Sequence, residues 1–286
     1  MGYEDCNTCK RLFWFGYRIT VFQQIIAIYV HQKIFLCLLT KANLRDIMQS
    51  LLIKIRRIVA RNAQKGQYLM DMRGIVENRP LLAIMRNVPL EKTLDYAEAV
   101  IKGGVTFFEV ALNSANALKQ ISMLRQKFGS KALFGAGTVV TVDLAKSALD
   151  AGAQFLLSPS TNEDVLSYCS DNDICFLPGV LTPTDVAVCL RYGFKTMKLF
   201  PAGDMPRTYV KSLKGPFDGT EYVVIGGVNP GNLRDFFNAG CIGAGLSSMI
   251  PKEFVSSENW DKGAAHVSDL CVELKEYYQA NRRECL

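Results

Sequence analysis

A chain of 286 residues, 49% hydrophobic and 21% charged, has the ordinary composition of a globular protein with a sizeable core. Its net charge of +6 is unevenly spread: residues 1–72 hold eleven Lys/Arg against four Asp/Glu, and residues 73–286 hold twenty-two against twenty-three. The basic excess therefore sits in the N-terminal quarter, and the rest has no nucleic-acid footprint. Nine scattered cysteines, with Cys6-x-x-Cys9 the only close pair, give neither a disulfide framework nor a complete zinc site; the pattern is that of a reduced, cytoplasmic protein. The only histidines, His31 and His266, lie outside the repeating region described below, which argues against a His-ligated catalytic metal and a His-based triad.

Residues 20–39 are apolar in patches, but Gln23, Gln24, His31, Gln32 and Lys33 interrupt them. A spanning helix wants about 20 nearly continuous apolar residues, so no membrane anchor is expected. Acidic Glu4 and Asp5 and the lack of a small-residue cleavage site also disfavour a signal peptide. Ile47, Leu51, Ile55 and Ile58, interleaved with Arg45, Lys54, Arg56, Arg57 and Arg61, have the pattern of a basic amphipathic helix over 43–61. The preferred reading is different. Lys65-Gly66 can be encoded by a purine-rich ribosome-binding sequence just before Met70, so translation is expected to begin at Met70 or Met72, with residues 1–69 as translated upstream DNA. The expected division is an extension over 1–72 and a folded domain over 73–286.

From Pro80 short apolar strands alternate with amphipathic helices. The pattern predicts strand 80–86 and helix 90–102 closed by Gly103-Gly104, strand 105–112 and helix 115–128, then strand 131–139 and helix 142–151. Strand 153–158, helix 163–171, strand 174–180 and helix 183–191 follow. A sixth strand covers 194–201, with a short helix at 207–214. Strand 221–225, helix 230–239, strand 241–246 and a last helix over about 260–280 complete the series. Eight βα units in about 200 residues predict a (β/α)8 TIM barrel, an α/β fold, over a doubly wound sheet.

The sixth strand is unusual. Side chains alternate along a strand, so Thr196, Lys198 and Phe200 share one face while Lys195, Met197 and Leu199 share the other. Burial lowers a lysine's pKa, and a neutral amine can attack a ketone to give a Schiff base. The bland alternative is an edge lysine snorkelling to water. In a barrel, chemistry sits at the C-terminal ends of the strands. Those ends carry Arg86, then Glu109 and Asn113, then Gly135-Ala136-Gly137-Thr138, Ser158-Pro159, Pro178-Gly179, Lys198, Gly226-Gly227, and Gly245 with Ser247 and Ser248. If Phe107, Glu109, Ala111 and Asn113 form the inward face, Glu109 and Lys198 converge inside. A mutual hydrogen bond or water bridge is then expected, or else a plain buried ion pair. The glycine-rich loops at 226–227 and 243–248, one leading into a helix, predict an anion site for phosphate.

In this order these residues resemble the 2-keto-3-deoxy-6-phosphogluconate aldolase family, with its 6-phosphogalactonate and 4-hydroxy-2-oxoglutarate members. The resemblance runs from about Arg79 to Pro251. It rests on F-F-E-V-A-L-N-S at 107–114, G-A-G-T-V at 135–139, M-K-L-F-P at 197–201, V-I-G-G-V at 224–228 and G-A-G-L-S-S at 243–248. It implies that Lys198 forms the Schiff base and Glu109 shuttles protons. It further implies that Thr138 and Asn113 hold a pyruvoyl carboxylate and that Gly226, Gly227 and Ser248 grip phosphate. Pro159, Phe200, Gly245 and Ser247 complete the expected substrate contacts. Asn113 stands where gluconate-type relatives carry Arg; L-N-S looks like the galactonate branch, with Arg86 as the source of positive charge. Ser247 stands where many relatives have Gly. The implied enzyme is a cofactor-free, metal-free class I aldolase of the Entner-Doudoroff type, acting on a phosphorylated 2-keto acid and releasing pyruvate, and assembled as a homotrimer. The rival is another phosphate-binding barrel that needs no imine.

Overall fold

The computed structural model describes residues 71–282. The expectations for residues 1–69 lie outside the described residues. The described part begins with helix α1 (Met72–Asn78), capped by Asp71, whose carboxylate accepts from the N–H groups of Arg73 and Gly74. This helix was not expected. It buries Met72, Ile75 and Val76 in one cluster with Leu82, Phe107, Phe155 and Val223, closing the N-terminal end of the barrel. Asp71 and Met72, which precede the expected 72/73 boundary, are thus built into the folded unit.

Strands and helices then alternate. They are β1 (Leu81–Met85), a 3-10 turn (Leu90–Lys92) and α2 (Thr93–Lys102), then β2 (Phe107–Ala111) and α3 (Ala117–Phe128), then β3 (Leu133–Gly137) and α4 (Val142–Asp150). Next come β4 (Leu156–Leu157), α5 (Glu163–Asp171), β5 (Phe176–Leu177), β6 (Gly179–Val180) and α6 (Pro183–Arg191). β7 (Thr196–Leu199), α7 (Tyr209–Lys214), β8 (Glu221–Ile225), α8 (Pro230–Asn238) and β9 (Gly243–Leu246) follow, and then α9 (Lys252–Ser256) and α10 (Trp260–Arg282). Helix starts follow local chemistry. Thr141, Asn162 and Thr182 accept from backbone N–H groups at the starts of α4, α5 and α6, and Thr182 with Asp185 forms a capping box.

The strands form one parallel sheet in the order β5-β4-β3-β2-β1-β9-β8-β7-β6. β5 and β6 are two halves of one barrel stave, the strand expected over 174–180, which breaks at Pro178 because proline has no N–H for a ladder. The stave still closes the ring: Ser158 N–H donates to Leu177 O at 3.3 Å on one side, and Lys198 N–H to Pro178 O at 2.8 Å on the other. The fold is therefore the expected eight-staved α/β barrel. Alternation sorts the residues. Ala83, Met85, Phe108, Val110, Met197, Leu199 and Val224 face the helices, while Leu82, Ile84, Phe107, Phe155, Leu157, Leu177, Val223 and Ile225 fill the interior. Phe107 and Phe155, with ring centroids 4.7 Å apart, pack the lower interior and leave its upper part to polar side chains.

Candidate active site

Glu109, two residues after Phe107 on β2, points into the barrel and is fully buried. Lys198 on β7 is 2% exposed. β2 and β7 stand four staves apart in either direction around the ring, so the two side chains approach the axis from opposite walls. Burial pushes the Lys198 amine below the usual lysine range; the nearby Glu109 charge opposes that shift, and the Arg86 charge adds to it. The Nζ lies 5.0 Å from the centre of the Phe200 ring, which follows on the same strand face.

Of the two expected links between the pair, a mutual hydrogen bond or a water bridge, the direct bond is not formed. Both Glu109 carboxylate oxygens are buried with no hydrogen-bond partner among the described residues. The two residues stand on opposite walls of the eight-stave ring, close enough for the Glu109 charge to act on Lys198. An unpaired buried carboxylate is costly.

Glycines shape this space. A Cβ on Gly135 would overlap the Phe155 ring, and one on Gly137 would overlap the Glu109 carboxylate. The inward positions at Gly135 and Gly137 must be bare, because the Phe155 ring and the Glu109 carboxylate occupy the room in front of them. The chain then turns at Thr138, whose φ of 62° is a strained conformation for a β-branched residue. Its hydroxyl donates to Asn113 Oδ1 at a long 3.5 Å, so the two expected carboxylate-holding residues do meet. Arg86 directly follows β1, is exposed, and has neither an ion pair nor a hydrogen bond among the described residues.

On the far side, Gly226 (φ 85°) and Gly227 (φ 71°) turn the chain from β8 toward α8. A Cβ on Gly226 would stand 2.9 Å from the Phe200 ring, which ties this loop to the lysine strand. The donors at the start of α8 are largely used by its own cap: Gly231 N–H donates to Asn229 Oδ1 at 3.0 Å, and Asn229 N–H to Asn232 Oδ1 at 2.9 Å. The N–H groups of Gly227, Ser247 and Ser248 have no acceptor among the described residues, and both serines are exposed. Gly245 lies deeper than expected, within β9, where a Cβ would meet Ile225 at 2.8 Å and Ile84 at 3.0 Å. Pro159 is half-buried, with its backbone pressed against Gly179. The sequence reading did not single out Gly203, whose Cβ would lie 2.6 Å from Gly227 Cα. Burial pushes the thiols of Cys169, Cys175, Cys189 and Cys241 up to about 12, so these four are poor nucleophiles.

The barrel thus places a buried amine and a buried carboxylate on opposite staves, beneath glycine loops at the carboxyl ends of the strands. The chain matches the family model described as KDPG and KHG aldolase over residues 72–265 and belongs to that family; it is a carbon–carbon lyase. It is 33% identical to 2-dehydro-3-deoxy-6-phosphogalactonate aldolase of Escherichia coli over 65% of this chain and 91% of that one. It is 31% identical to 2-dehydro-3-deoxy-phosphogluconate aldolase of Pseudomonas aeruginosa over 71% of this chain and 90% of that one. Among solved structures it resembles KDPG aldolase from Legionella pneumophila, in which pyruvate was captured as a covalent carbinolamine. The TM-score is 0.66 at 26% identity, covering 71% of this chain and 99% of the other. No helix among the described residues is long and apolar enough to cross a membrane.

Proposed function

We propose that this protein is a Schiff-base aldolase that cleaves 2-keto-3-deoxy-6-phosphogluconate-type acids to pyruvate and glyceraldehyde 3-phosphate, with 4-hydroxy-2-oxoglutarate as a further substrate. The observation that carries the reading is the buried Lys198 amine opposite the unpartnered Glu109 carboxylate. Lys198 attacks the C2 ketone, and loss of water leaves an iminium ion, an electron sink. Glu109, directly or through water, takes the C4 hydroxyl proton. The C3–C4 bond breaks, its electrons form an enamine, and the aldehyde leaves. Protonation of the enamine and addition of water release pyruvate and restore the amine.

The remaining roles follow from placement. Arg86, Asn113 and Thr138 flank the catalytic pair at the rim and suit the substrate carboxylate. The free N–H groups of Gly227, Ser247 and Ser248, with the two hydroxyls, suit the phosphate across the barrel mouth. The galactonate epimer is the alternative substrate, supported by Asn113 in L-N-S and by the 33% identity to the E. coli phosphogalactonate aldolase, beside 31% identity to two phosphogluconate aldolases.

Intact mass after incubation with pyruvate and borohydride, followed by peptide mapping, tests the chemistry. An adduct on Lys198 is expected. Unmodified protein would replace this reading with a phosphate-binding barrel that does not use an imine. Comparing kcat/KM for the two epimers decides the substrate.

A further inference from the structure

The loop that carries Arg86 is held by side chains that the reaction scheme does not use. Asn87, at φ 55°, donates its N–H to Ser114 Oγ at 3.0 Å. Behind it, Gln120 Nε2 donates to Val88 O and to Thr93 Oγ1, both at 2.8 Å, and Thr93 Oγ1 donates to Pro89 O at 3.2 Å. Gln120 is 1% exposed, Thr93 is fully buried and Ser114 is buried. Every residue from Asn87 to Pro89 thus has a backbone group fixed by one of three buried polar side chains. Ser114 also follows Asn113 directly, so a single hydrogen bond ties the loop after β1 to the turn after β2.

Three buried polar side chains spent on one short loop are hard to explain by packing, since apolar residues fill such space at lower cost. The loop's cargo explains them. Arg86 is a cation with no partner of its own among the described residues, and its charge is felt at Lys198. A long side chain that must meet a small anion in one place gains from a fixed backbone beneath it.

We propose that Ser114, backed by Gln120 and Thr93, is a positioning residue that fixes Arg86 and couples it to Asn113, so that both meet the carboxylate of the 2-keto acid. This rests on the proposed role of Arg86 as a carboxylate ligand. The loop therefore acts on substrate affinity and leaves the bond-breaking step to Glu109 and Lys198.

A double-mutant cycle on the full-length enzyme tests it. S114A is expected to raise KM about 3- to 10-fold, the size of one neutral hydrogen bond, with kcat within about twofold. S114T, which keeps the hydroxyl, is expected to restore KM. In an R86A background, S114A is expected to change KM by less than about twofold, because coupled residues are not additive. Additive effects, an unchanged KM in S114A, or loss of kcat and thermal stability with KM intact would overturn the proposal. Gln120→Met enters the same cycle if S114A does not fold. Borohydride trapping with pyruvate separates the two layers. An adduct in wild type and S114A with additive KM effects refutes the positioning role alone, and no adduct in wild type refutes the aldolase chemistry beneath it.

Discussion

Gly137→Ala puts one methyl group where the Glu109 carboxylate now lies. The added Cβ would overlap Oε1 and Cδ and stand 2.6 Å from Cγ, closer than real Cβ atoms approach any neighbour. The carboxylate cannot retreat to solvent, because Glu109 is fully buried, and the room beside it at Gly135 is filled by the Phe155 ring. Overpacking of this kind costs about 1–3 kcal/mol, and in a domain of this size each kcal/mol lowers Tm by about 2–4 °C, so Tm is expected to fall by about 2–12 °C. A catalytic group displaced by about 1 Å can lose about 10²-fold in rate, so kcat is expected to fall about a hundredfold. The Lys198 amine lies on the opposite wall and is not touched, so pyruvate trapping by borohydride is expected to persist. The assays are thermal unfolding, steady-state cleavage and adduct mass on one preparation. Wild-type kcat with wild-type Tm would refute the inward placement of Glu109 against β3. Equal loss of trapping and turnover would refute its separation from the amine.

Two further outcomes follow from the same geometry. Lys198→Met abolishes the adduct and turnover, and it is expected to stabilise the fold, because it replaces a desolvated amine with an apolar side chain of similar size. Since the folded-state pKa of Lys198 is lowered from 10.5, the unfolded chain binds more protons in the window just below 10.5. Wild-type stability therefore rises with pH through that window. The advantage of the variant, followed by denaturant titration, should shrink as pH rises through that window and vanish above 10.5; parallel curves would show that Lys198 is not desolvated. Gly227→Ala forces a side chain onto a φ of 71° and brings a Cβ to 2.9 Å from Gly203 Cα. It is expected to cost about 1–2 kcal/mol in stability and to raise KM for the phosphorylated acid about tenfold, with pyruvate trapping intact; an unchanged KM would move the phosphate elsewhere.

The barrel, the order of its units and the residues that share a face of the lysine strand could all be read in advance, because strand and helix periods, turn glycines and helix caps act over a few residues. Alternation alone puts Lys198 with Thr196 and Phe200, and the structure keeps that assignment. The glycines of 135–137 were visible as a motif, but their reason was not. Only the closed ring brings the Phe155 ring and the Glu109 carboxylate in front of β3. The same holds for the catalytic pair. That Glu109 shares a face with Phe107, and Lys198 with Thr196 and Phe200, follows from local alternation; that these faces point inward, and stand on opposite walls, is decided by the closed barrel. Helix α1 leaves little trace in the pattern because only packing against Phe107, Phe155 and Val223 from distant segments makes Met72, Ile75 and Val76 a buried face. Ser114, Gln120 and Thr93 looked like ordinary polar residues of a turn and two helices. Their roles appear when three segments meet around one loop, since a hydrogen bond between residues 27 or 32 positions apart leaves no periodic trace in the chain.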